Sequence, residues 1–283
     1  MSRKLFDKAA MIIPLMSILI AGSYLGYRYW DYRTAELEYD RIAGYIEDQQ
    51  NLRTIPNSQQ GYATEFQSED RPEDSEEAAV NTDTEDESVS VPSVDWEELL
   101  TISKDIKAWI NIPGLDISYP VVQGKDNDQY LHHMPNGEYK YAGSIFMDYK
   151  NSPDFMDLNT IIYGHNMDSG AMFGKFRTFG QEIYEKDPIV WICVPGKAMQ
   201  YRVFSYHISV VGDESYTLFP EEYSLYPLKA DKWIKSEADR SDITSPLPDR
   251  YEKRVVTLST CATRSNQRRV IQAVLVKEYK TGT

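Results

Sequence analysis

From residue 92 onward the chain is a series of short apolar runs. They are AWINI (108–112), DISYPVV (116–122), GSIFMD (143–148), NTIIYG (159–164), PIVWICV (188–194), MQYRVFSYHISVV (199–211), KRVVTLST (253–260) and RRVIQAVLV (268–276). Most are of ordinary strand length, are rich in β-branched and aromatic residues, and are separated by turn formers such as Pro113-Gly114, Asn136-Gly137 and Pro195-Gly196. No regular alternation with helices marks βαβ units, so the pattern predicts an all-β domain with helical insertions, an antiparallel barrel or sandwich of eight strands. The insertions are expected at 94–103, around 172–179 and at 221–239, where Tyr223, Tyr226, Leu228, Trp233 and Ile234 supply a packing face.

The first 91 residues follow other patterns. Residues 9–26 are an 18-residue run without a charge, close to the ~20 residues that cross a hydrocarbon core. Arg3, Lys4 and Lys8 precede it, and Tyr24, Tyr27, Tyr29 and Trp30 suit an interfacial belt. The run therefore reads as an uncleaved transmembrane anchor with a cytoplasmic N-terminus, in preference to a signal peptide cut near Ala21-Gly22-Ser23. Residues 31–50 are rich in helix formers, with Ala35, Leu37, Ile42, Ala43 and Ile46 spaced for one apolar face, and predict a juxtamembrane helix. Residues 51–91 turn to Ser, Thr, Glu, Asp, Gln and Pro, too few large apolar groups to offset the entropy of ordering; they read as a disordered spacer. The expected organisation is a tip and anchor at 1–30, a helix at 31–50, a linker at 51–91 and one folded domain at 92–283.

Charge sharpens this division. The formal net charge is −14, yet residues 65–90 hold eleven acids against Arg71 alone. The remainder is close to neutral and carries no basic cluster, which excludes a nucleic-acid partner.

Two cysteines sit in different settings. Cys193 lies within PIVWICV, where a buried, inert thiol is expected; Cys261 ends a strand-like run and is followed by polar residues. A cysteine nucleophile needs a thiolate, a nearby imidazole and a positive or hydrogen-bonding group where the oxyanion forms. His165 ends IIYGH as Cys261 ends VVTLSTC, and Arg268 or Arg269 opens the final strand after a short loop. Taken singly, each residue also has an ordinary structural role, and spacing alone does not bring positions 165 and 261 together. The adjacent His132 and His133, and His207 among apolar neighbours, lack ligand spacing and read as structural; no metal or cofactor is expected.

The segments NTIIYGHNM, TLSTC and RRVIQAVL resemble the histidine, cysteine and arginine signatures of sortases, enzymes that attach surface proteins to Gram-positive cell walls. AWINIPGLDISYPVVQGKDNDQYLHHM and AGSIFMDYKN resemble the class B branch in particular. The resemblance covers residues 95–277 and implies an eight-stranded barrel, with Cys261 as nucleophile, His165 as acid–base and Arg268, ahead of Arg269, at the oxyanion. It places Ser259 and Thr260 along the substrate groove. It further implies a substrate carrying a C-terminal sorting signal and, as acceptor, an amine of a peptidoglycan precursor or a pilin lysine. The enzyme would sit in the cell membrane with its catalytic domain outside. Class B relatives often take signals resembling Asn-Pro-Gln-Thr-Asn. A pilin-polymerising enzyme, a cysteine protease or amidase and a non-catalytic membrane-tethered binding module are the alternative readings.

Overall fold

The computed structural model describes residues 3–45, 53–55, 89–219, 227–261 and 266–282, without the side chains of 3–13, 53–55, 89, 227 and 261. The elements are α1 (Arg3–Ala43), β1 (Arg53–Ile55), β2 (Val89–Val91), α2 (Trp96–Ile102), β3 (Ile106–Ile112), β4 (Ile117–Gln123), β5 (Ile145–Met147), β6 (Asn159–His165), α3 (Gln181–Lys186), β7 (Ile189–Val194), β8 (Lys197–Val210), α4 (Pro227–Asp239), β9 (Glu252–Cys261) and β10 (Gln267–Lys280).

All eight apolar runs form strands, and together they close a barrel in the order β10-β8-β7-β3-β4-β5-β6-β9. Closure removes the free strand edges that would otherwise recruit other chains. Trp109, Ile110 and Tyr201 are among the buried residues of the main core, while Phe204, Val255 and Val274 form a second cluster with Trp233 and Ile234 of α4.

The barrel is not wholly antiparallel. The β4–β5 and β6–β9 seams are parallel, a departure that the strand pattern cannot signal, because the crossover from β6 to β9 runs through α3, β7, β8 and α4. Around 172–179 the chain forms a 3-10 turn, Gly174–Arg177, and the short helix α3 follows it. α2 starts where Asp95 accepts a hydrogen bond from the Glu98 amide, an ordinary N-cap. The described part of the third insertion is α4; residues 220–226 lie outside the described residues.

α1 runs on past the expected anchor and docks on the barrel. Ala35, Tyr39 and Ile42 are buried in the main core, whereas Leu37, assigned to the same face from the sequence, is exposed. The buried set follows the helical spacing of three and four residues, which Leu37 does not share. Among the described residues no helix is long and apolar enough to cross a membrane, so the expected span at 9–26 is not borne out there; its first five side chains, residues 9–13, lie outside the description.

Most of the expected linker, residues 56–88, also lies outside the described residues. Its two ends do not drift apart: β1 pairs antiparallel with β2, Ile55 opposite Val89, and Val91 is buried in the main core.

Candidate active site

The parallel seam fixes the geometry of the site. Because β6 and β9 run in the same direction, their C-terminal ends reach one rim, and the register sets His165 beside Cys261. β9 and β10 are antiparallel, with Val270 opposite Ser259. Two positions further along that register, Arg268 falls opposite Cys261. His165 and Cys261 are therefore neighbours across the β6–β9 seam, and the register extended from Val270 and Ser259 brings the Arg268 backbone into the same row.

His165 is buried, and its Nε2 lies 2.7 Å from the Leu131 carbonyl oxygen. A carbonyl only accepts, so Nε2 carries the proton and Nδ1 holds the basic lone pair. Burial pushes the imidazole below its usual range; the Leu131 carbonyl opposes that, and the neighbouring His132 adds to it. Gly164 precedes the histidine because a Cβ there would meet the Phe173 ring at 2.7 Å, where Phe173 stacks on Phe176 beneath the strand end.

Three rings form an offset stack at this rim. His132 and His165 have centroids 5.3 Å apart and planes 18° from parallel, Tyr141 and His165 are at 5.9 Å and 15°, and His132 and Tyr141 are at 5.5 Å and 26°. Sequence reasoning gives His132 a structural role and passes over Tyr141. The run DQYLHHM holds the only hint, and the contact depends on a loop that folds Tyr141 back over His132.

The two arginines separate. Arg269 donates its backbone N–H to Thr260 Oγ1, and its guanidinium hydrogen-bonds the Tyr206 phenol, which burial pushes up and Arg269 pulls back. Arg268 is half-exposed, with Nη1 3.1 Å from the Gln267 carbonyl. Ser259 and Thr260 are both buried: the Ser259 hydroxyl bonds the Tyr216 hydroxyl at 2.7 Å, and the Thr260 hydroxyl takes the Arg269 amide. Both side chains are thus spent on holding the wall around β9. The residues after the cysteine, 262–265, lie outside the described residues.

The other candidates fall elsewhere. Cys193 is a free, buried thiol on β7, which β8 and β10 separate from β9, and burial pushes it up to about 12. His207 has a carboxylate close by after all, since Glu237 of α4 comes within 3.8 Å across a long sequence separation. Among the described residues no group of three or more His, Cys, Asp or Glu is arranged to hold a metal.

The comparisons with known proteins identify the family and its fold. The Sortase domain family model matches residues 110–276. Sortase B of Listeria monocytogenes is 36% identical over 185 residues, spanning 63% of this chain and 73% of that protein. The structure of Clostridium perfringens sortase B aligns with a TM-score of 0.57 at 32% identity, over 64% of this chain and 99% of that one. A Staphylococcus aureus sortase B–substrate complex aligns with a TM-score of 0.57 at 31% identity, over 64% of this chain and 84% of that one, and a sortase B complexed with triglycine aligns equally well over 85% of its own length. The chain belongs to the sortase family, in its class B branch.

Proposed function

We propose that this protein is a membrane-anchored cysteine transpeptidase that cleaves a C-terminal sorting signal after Thr and passes the acyl group to an amine of a cell-wall precursor. The observation that carries the reading is the pairing of His165 with Cys261 at one rim of the barrel, towards which the β9–β10 register leads Arg268. The sortase B structures holding a substrate or triglycine support the two ligand classes.

The Cys261 thiolate adds to the carbonyl carbon of Thr, and the Arg268 guanidinium faces the negative charge that builds on oxygen. Collapse of this intermediate breaks the peptide C–N bond, and the departing amine takes its proton from the His165 imidazolium. A thioester remains. The acceptor amine gives a proton to His165 as it attacks the thioester carbon, and the thiolate leaves, so one amide is exchanged for another without a cofactor. The burial of His165 disfavours its charged form and so works against the thiolate–imidazolium pair.

The uncharged run at 9–26, with basic residues before it, supports a single-pass anchor with its N-terminus in the cytoplasm. Leu15, Ile18, Leu19, Ile20 and Leu25 of α1 are all exposed, a cost in water that lipid removes.

The test is mass spectrometry of the full chain in detergent with an Asn-Pro-Gln-Thr-Asn peptide and triglycine. A thioester adduct that triglycine or hydroxylamine converts to a new amide, and that Cys261→Ala lacks, is the expected result. An adduct released only by water would make the enzyme a protease, and product formed by Cys261→Ala would sink the mechanism.

A further inference from the structure

The catalytic imidazole is built against a loop that α1 grips at several points. Asp31, buried, accepts the Tyr141 backbone N–H at 3.1 Å. The Arg28 guanidinium lies over the Tyr141 ring, 3.8 Å from its centroid. Thr34 Oγ1 receives a bond from Lys140 Nζ at 2.9 Å, and the Tyr39 hydroxyl donates to the Gly143 carbonyl at 2.7 Å. The same loop returns to the site: Tyr141 stacks on His165, and its carbonyl oxygen meets His132 Nδ1 at 3.2 Å. A continuous series of contacts thus runs from Arg28 through Tyr141 to His165.

We propose that Tyr141 is a positioning residue for His165 and that α1, through Arg28 and Asp31, holds Tyr141 in place, which makes the segment beside the membrane anchor a working part of the active site. The inference rests on the reading of His165 as the acid–base.

An imidazole that swaps proton partners within one turnover must keep Nδ1 aimed at the sulfur first and the amine next. Its hydrogen bond to Leu131 fixes one ring atom but leaves rotation about that bond, and a flat ring packed parallel to the imidazole plane stops it. The charged and titratable groups that face the imidazole are His132 and Tyr141 on the loop; Arg28 contacts Tyr141, and the β6–β9 register pairs His165 with Cys261 along the backbone. The Arg28 guanidinium attracts the electron-rich face of the Tyr141 ring, a contact that anchors the ring.

The experiment uses the full chain in detergent and follows single-turnover acylation from acid to alkaline pH. Wild type is compared with Tyr141→Ala, Tyr141→Phe, Arg28→Ala, His165→Ala and Cys261→Ala. We expect Tyr141→Ala to lower the acylation rate about ten-fold with little change in KM, since misplacing a reacting group costs rate rather than ground-state binding. Its acid limb should also move, and Tyr141→Phe, which keeps the ring, should restore most of the rate. Arg28→Ala should show the same change in smaller measure, and it decides the matter alone if Tyr141→Ala does not fold. A wild-type rate and pH profile in Tyr141→Ala or, failing that variant, in Arg28→Ala would overturn the proposal, as would a Phe variant as slow as the Ala one. Wild-type rates in His165→Ala or Cys261→Ala would overturn instead the functional reading on which it stands.

Discussion

The smallest residue at the site carries a disproportionate constraint. Gly143 has φ +55°, in the left-handed region, and a Cβ there would lie 2.3 Å from the Leu131 carbonyl oxygen, the atom that receives the His165 Nε2–H. Gly143→Ala therefore adds backbone strain and displaces the acceptor that fixes the imidazole. We expect it to cost about 2 kcal/mol of stability and about ten-fold in acylation rate. Thermal unfolding and single-turnover acylation on the same preparation measure the two; a folded variant with the wild-type rate would detach the Leu131 bond from catalysis. Residues of this kind mark the limit of sequence reading. His165, Cys261 and Arg268 are legible because each closes or opens a strand and stands in a motif. Gly143, His132 and Tyr141 act through a loop whose path no periodicity encodes, so their partners at 131 and 165 stay invisible in the sequence.

At the scale of elements, strands and helices are legible because apolar periodicity is local, while the parallel pairing of β6 with β9 escapes it because it joins segments about ninety residues apart. α4 illustrates the same limit: of the apolar side expected from the sequence, Trp233 and Ile234 are buried while Leu228, in its first turn, is exposed, and the buried polar network beneath the helix does not show at all. Glu237 accepts hydrogen bonds from Ser215 at 2.6 Å and Arg240 at 3.0 Å, His207 Nε2 meets Ser215 Oγ at 3.0 Å, and Arg240 reaches Asp213 at 2.6 Å. From there Tyr216, next to Ser215, bonds Ser259 on β9, two residues before Cys261. The close approach of His207 to Glu237 is not an ion pair at neutral pH, because burial, helped by the charge of Arg240, pushes the imidazole down to about 4. In the unfolded chain the same group titrates near 6.5. Below that value the unfolded chain binds a proton that the folded one refuses, so this contribution to stability is lost as pH falls from about 6.5 towards 4. Asp213 adds a loss below about pH 4: burial pushes its carboxyl up, but hydrogen bonds from Ser209, Arg240 and the Ser215 amide outweigh it and hold the group at about 2. Glu237, raised by burial, works in the opposite sense as pH rises above about 4.5. His207→Gln should therefore flatten the fall in stability between pH 6.5 and 4, by at most about 3 kcal/mol at the acid end. Guanidinium unfolding at several pH values reads this directly, and a variant with the wild-type slope would assign the acid sensitivity to other groups.

At the scale of the whole molecule, the acidic stretch changes its meaning. Read along the sequence, residues 51–91 separate an anchor from a distant domain. In the fold, α1 already rests on the barrel through Ala35, Tyr39 and Ile42, the Asp95 amide bonds the Tyr45 carbonyl at 2.9 Å, and Ile55 stands opposite Val89. Residues 56–88 therefore leave and return at one place, and their contour length adds nothing to the distance between anchor and barrel. With residues 9–26 in the bilayer, the hydrogen bond that Asp31 accepts from Tyr141 comes five residues later, about 8 Å along the helix. On the proposed anchoring, the active site then works close to the membrane surface. Replacing residues 58–86 by a four-residue Gly-Ser turn separates the two views. A spacer cut to this length would pull the barrel out of reach of its substrates and abolish anchoring in cells. A loop cut to this length leaves acylation and anchoring unchanged, and because each halving of a loop saves roughly 0.6 kcal/mol of closure entropy, it should raise stability by about 1–2 kcal/mol. Loss of anchoring with acylation intact in detergent would restore the spacer; unchanged anchoring with a higher unfolding midpoint would establish that α1 alone sets the height of the catalytic barrel.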